Sequence, residues 1–262
     1  MVDVNTPGQT PEPAPEPTMS LLDHVRELRD RLFRISIAVV LGAVVGYTFR
    51  NELLVFLKAP YPGDLIARGV PDQLTVSATI AITVGAIMGL PVILWQVLGF
   101  IAPGLYPHEK RWLFFAVPFG LILFAAGSSF AYFVMLPTMI PFLTGILDPK
   151  TVASLLSLDD YVTFVTGVLF WMGVAFEMPV VMFILAKLNV INARMLVKYW
   201  RYAIVAIAVI AAVITPTPDP VNMGIVMVPL IFLYGFSIVM TAIARRGAQV
   251  PALLDPSEKD QG

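Results

Sequence analysis

Cysteine is absent from this 262-residue chain. That excludes disulfides, thiolate metal sites and cysteine nucleophiles. Histidine is almost absent: His24 and His108 are too few for a histidine-based metal centre. Charge is scarce as well. Only 13% of residues are Asp, Glu, Lys or Arg, against roughly 25% in a soluble domain. The net charge of −1 gives no global pointer to nucleic acid. The N-terminus is rich in Pro and Glu and has no apolar h-region, so no cleavable signal peptide is expected. None of the apolar stretches holds a Gly-x-Ser-x-Gly, a His-Glu-x-x-His or a carboxylate pair. Intramembrane enzyme chemistry and bound cofactors are therefore not expected.

What the chain has instead is hydrocarbon. It is 58% hydrophobic, with a mean hydropathy of +0.81, which is the profile of a polytopic membrane protein. Residues 1–18 read as a disordered tail, because Pro and polar residues cannot build a core. Ser20 begins a helix, with Ser20-Leu21-Leu22-Asp23 as a capping box. Leu21, Val25, Leu28 and Leu32 then recur at helical spacing, opposite a polar face of Asp23, Arg26, Glu27, Asp30, Arg31 and Arg34. This pattern predicts an amphipathic helix on the membrane surface, leading straight into the first span.

The gaps between charges predict six spans, at about 32–49, 76–100, 112–136, 161–186, 199–214 and 221–244. Together they make a single domain over 19–244, followed by a C-terminal tail at 245–262. The fifth span is short. Some sixteen residues rise about 24 Å, against a hydrocarbon core of about 30 Å. Six spans place both termini on one side of the membrane. Of the 17 Lys and Arg residues, only Arg50, Lys58, Arg68 and Lys150 fall on the other side. The positive-inside rule therefore makes both termini cytoplasmic. The first exported loop contains Ala59-Pro60-Tyr61-Pro62-Gly63 and reads as ordered.

Glu177 is the lone formal charge within Tyr161–Ala186. An ionisable group at bilayer depth costs on the order of 2.5–3.5 kcal/mol on insertion scales. Such a residue usually faces a partner, a cavity or a pathway; the simpler alternative is a hydrogen-bonded carboxyl with a packing role. On the surface helix, Glu27 has Arg31 at i+4 for an ordinary solvated pair. In the loop Phe100-Ile101-Ala102-Pro103-Gly104-Leu105-Tyr106-Pro107-His108-Glu109-Lys110-Arg111, Phe100 reads as an interfacial anchor and Glu109 as a loop charge.

Taken together these segments resemble a family. Asp23–Arg29, Ala59-Pro60, Phe100–Arg111, Phe130-Ala131-Tyr132-Phe133, Phe176-Glu177-Met178-Pro179 and Ile214-Thr215-Pro216 are similar to TatC, the large subunit of the twin-arginine protein translocase. The resemblance covers roughly residues 19–244. It implies an all-α, six-span, concave bundle in the cytoplasmic (inner) membrane. It also implies a receptor that binds the twin-arginine signal peptides of folded precursors at its cytoplasmic face. Such a receptor assembles with the single-span subunits TatA and TatB and with further TatC copies, for export driven by the proton-motive force.

The resemblance carries Glu27, Arg29, Phe100 and Glu109 over as signal-peptide residues. Two guanidiniums call for two carboxylates, since Arg–carboxylate pairing is bidentate and charge-assisted. Glu177 and Thr215 are carried over as intramembrane positions where partner helices dock, and Pro60 as a structural residue of the exported loop. Lys110 and Arg111 are alternatively contacts for lipid phosphate. The competing reading is a proton- or ion-coupled secondary transporter using Glu177; the absence of an obvious internal repeat speaks against it.

Overall fold

The computed structural model describes residues 21–61, 63–102, 110–144, 156–215 and 219–246. The expectations for both tails, the Ser20 cap and Glu109 lie outside the described residues.

Residues Leu21–Thr48 form one uninterrupted helix, α1. At 1.5 Å per residue its 28 residues rise about 42 Å, more than the hydrocarbon core requires. The amphipathic segment is thus the first turns of the spanning helix, with no break between surface and span. A turn at Phe49 starts α2 (Arg50–Lys58). Then come α3 (Val70–Ile101) and α4 (Lys110–Phe130), which runs through a π-helical turn (Ala131–Met135) into α5 (Leu136–Thr144). The chain continues with α6 (Leu158–Phe176), α7 (Met178–Lys187), α8 (Ala193–Lys198), α9 (Trp200–Ile214) and α10 (Pro220–Arg246). Two-residue strands β1 (Leu65–Ile66) and β2 (Leu156–Ser157) pair in parallel.

Among the described residues, five stretches are long and apolar enough to cross a membrane: 24–48, 70–101, 114–142, 158–187 and 220–244. The sixth, α9, has 15 residues and rises about 22 Å, so the fifth span is short, as its sequence indicates. Prolines Pro91, Pro118, Pro141 and Pro229 lie inside helices. Spanning helices tolerate them because neighbouring helices re-satisfy the freed backbone groups.

Small residues set the helix contacts, as expected where lipid removes the hydrophobic drive between helices. α1 and α3 meet at Gly85, where a Cβ would lie 2.5 Å from the Val39 carbonyl oxygen. The core is centred on α6: Tyr161, Val162, Val165 and Met172 are buried against Met135, Met139 and Leu230. Ser128 of α4 donates to the Leu169 carbonyl of α6 at 3.1 Å.

The last-turn carbonyls of a helix have no partner within it. In two short helices here, tyrosines supply one. Tyr132 donates to Phe56 O and Tyr161 to Leu57 O, both at 2.8 Å, pinning α2 onto the bundle. Pro60 follows directly, where a proline stops a helix cleanly. Tyr234 of α10 donates to Leu196 O in α8 at 2.8 Å.

Candidate peptide-binding rim and intramembrane carboxyl

The start of α1 and the end of α3 meet at one end of the bundle. There the His24 and Phe100 rings stack with centroids 4.4 Å apart. One turn further along α1 lies Glu27. Arg31 donates to its Oε1 from Nε at 3.0 Å and from Nη2 at 2.5 Å. The i+4 spacing stacks the two side chains on one helix face, so the pair expected from sequence is present. The same guanidinium reaches across to α3: Arg31 Nη1 lies 3.2 Å from both the carbonyl and the side-chain oxygen of Gln96. Glu27 Oε2 is shielded from solvent and has no hydrogen-bond partner among the described residues.

Of the predicted rim residues, the structure places Glu27 and Phe100 at the same end of the bundle, with Phe100 stacked on His24 one turn before Glu27. Arg29 points elsewhere: it is exposed and donates to its neighbour Asp30 at 2.8 Å. Glu109 falls outside the described residues. Gln96 is a site residue that sequence reasoning missed. Its signal was available, as the polar residue four positions before Phe100 on an otherwise apolar stretch of helix, and therefore on the same face. Beside this cluster Arg31, Arg34, Trp95, Gln96 and Phe114 line a cavity of about 390 Å³.

Glu177 sits where the fourth span breaks. Its amide donates to Val174 O at 3.0 Å, a tightened turn, before α7 resumes. Pro179 has no amide hydrogen to continue the ladder, which explains a break at this point. The residue is 8% exposed, and neither carboxyl oxygen has a hydrogen-bond partner among the described residues. It lies across Gly120 of α4: a Cβ there would be 2.7 Å from Glu177 Oε2. Neighbouring residues of α4 and α7, including Phe119, Ile122, Pro179 and Val180, line an apolar groove of about 400 Å³. Thr215 is buried and donates back to Ala211 O at 2.9 Å; its own backbone is extended, and α9 ends at Ile214. No group of three or more potential metal-binding side chains occurs among the described residues.

A bundle of six apolar helical segments, with a carboxylate–guanidinium cluster at one end and a buried carboxyl inside, defines a multi-pass membrane protein. A family model described as Sec-independent protein translocase protein (TatC) matches residues 23–229. The Sec-independent protein translocase protein TatC of Deinococcus radiodurans is 40% identical over 260 residues, covering 94% of this chain and 95% of that one. The Aquifex aeolicus TatC is 37% identical, covering 87% and 97%. A crystal structure of the twin arginine translocase receptor TatC superposes with a TM-score of 0.74 at 37% identity, covering 85% of this chain and 100% of that one. The chain belongs to the TatC family of Sec-independent protein translocase proteins.

Proposed function

We propose that the protein is the receptor subunit of a twin-arginine translocase. It acts by binding rather than by catalysis, and it lies in the cytoplasmic membrane with both termini inside. The observation that carries this reading is the state of Glu27. It is a half-buried carboxylate beside an aromatic stack, with one oxygen lacking a donor among the described residues. A peptide guanidinium matches that oxygen in charge, and Phe100 offers the apolar residues of a signal peptide a surface. Glu109 lies outside the described residues, so its role as the second carboxylate rests on its place in the family loop.

Glu177 and the groove beside it serve a second kind of partner. A carboxyl without a donor at membrane depth accepts a hydrogen bond from a polar residue on a single-span helix. TatA and TatB are the proposed occupants, with Thr215 and the short α9–α10 hairpin at the adjoining docking edge. Export would then draw on the proton-motive force. Family membership favours this reading over an ion-coupled transporter built on Glu177.

The test is photocrosslinking of a twin-arginine signal peptide to membranes carrying wild type, Glu27→Ala, Glu109→Ala or the double variant, with a Lys-Lys peptide as control. Crosslinking is expected to fall in each variant and with the control. Equal crosslinking throughout would remove both carboxylates from recognition.

A further inference from the structure

The Glu27 carboxylate already holds a guanidinium, and the way it does so suggests how a peptide is admitted. Arg31 places both Nε and Nη2 on Oε1 alone. A fork-to-fork pair would use both carboxylate oxygens, yet Oε2 is left without a donor among the described residues. The Arg31 side chain is 19% exposed and that of Glu27 is 23% exposed, so each needs a counter-charge more than a solvated residue would. Arg31 also has a second seat. Its Nη1 lies against two oxygens of Gln96, which is itself 9% exposed. Gly99 makes that seat possible, because a Cβ there would lie 2.5 Å from Arg31 Nη1.

We propose that Arg31 is a resident competitor for Glu27: a peptide guanidinium binds by exchange with it, while Gln96 retains the displaced side chain. This rests on the rim reading above. An incoming group must outcompete a guanidinium for the carboxylate. An arginine does so by gaining the second oxygen; a lysine ammonium, a point donor without the fork, does not. Arg31 and Gln96 therefore set an affinity threshold. Displacing the resident guanidinium costs every peptide alike and cancels in the difference between peptides, so the Lys-containing peptide, the weaker partner for the two carboxylate oxygens, is the one that falls below it.

The experiment titrates fluorescent Arg-Arg and Lys-Lys signal peptides against the full chain in nanodiscs of neutral lipid. The proteins are wild type, Glu27→Gln, Arg31→Gln, Gly99→Ala and Arg194→Gln. Arg194→Gln removes the same charge from an exposed position on α8, away from the Arg31 cavity, and controls for general electrostatics. Gly99→Ala keeps every charged group but crowds Arg31 off its seat. Arg31→Gln is expected to tighten binding of both peptides by about threefold to tenfold. Gly99→Ala, which closes the seat for the displaced side chain, should weaken binding of both, and Arg194→Gln should leave both affinities unchanged. Affinities that are unchanged or weakened in Arg31→Gln overturn the proposal, as does tighter binding in Gly99→Ala or an equal tightening in Arg194→Gln. Failure of the underlying reading looks different: wild type would not distinguish the two peptides, or Glu27→Gln would bind like wild type. Thermal unfolding of each variant in the nanodisc separates misfolding from altered recognition.

Discussion

Glu177 shows what a single residue contributes here. Its carboxyl has no hydrogen-bond partner among the described residues, so it adds little to the stability of the isolated chain. Glu177→Gln should therefore leave thermal unfolding within about 1 kcal/mol of wild type, while weakening co-purification with single-span partner subunits. Gly120 should behave in the opposite way. Its lack of a side chain makes the notch for the carboxyl, and Gly120→Leu should cost about 1–3 kcal/mol by overpacking. Both effects are read by thermal unfolding of the purified protein. A large loss of stability in Glu177→Gln would mean that the carboxyl is structural.

At the scale of the element, the short helices depend on borrowed hydrogen bonds. α2 is held through Tyr132 and Tyr161, and α8 through Tyr234. Tyr161→Phe deletes the donor to Leu57 O inside the core and should cost about 1–3 kcal/mol, because the carbonyl is left buried and unsatisfied. Thermal unfolding reads this too, and a cost near zero would show that α2 is anchored by other contacts. The spanning helices were legible in the sequence because charge is excluded from the hydrocarbon and marks their ends. The Glu27–Arg31 pair was legible as well, because i+4 spacing is local. The seat on Gln96 was not: it joins residues 65 positions apart, and nothing in α1 announces which face α3 presents. The break at Glu177 had a signal in Pro179, but the carboxyl's lodging against Gly120 depends on how α4 packs.

For the whole molecule, the asymmetry of Lys and Arg predicts orientation. The absence of native cysteine makes this directly testable by single-cysteine labelling in intact cells with a membrane-impermeant maleimide. Arg68→Cys should label, and Arg194→Cys should be protected. The reverse pattern would invert the molecule and put the Glu27 cluster on the wrong face for a receptor of cytoplasmic precursors. In the expected orientation the two polar features would divide the work as proposed above, the rim taking the peptide and the buried carboxyl a helix within the membrane.

The central claim is that Glu27 recognises a guanidinium. Its most direct test is the affinity of the nanodisc-embedded chain for a twin-arginine signal peptide, in wild type and Glu27→Gln, against the Lys-Lys peptide. The account predicts at least about tenfold weaker binding in Glu27→Gln, the scale of a charge-assisted pair, and little remaining preference for Arg-Arg. Equal affinities with the preference intact would contradict it.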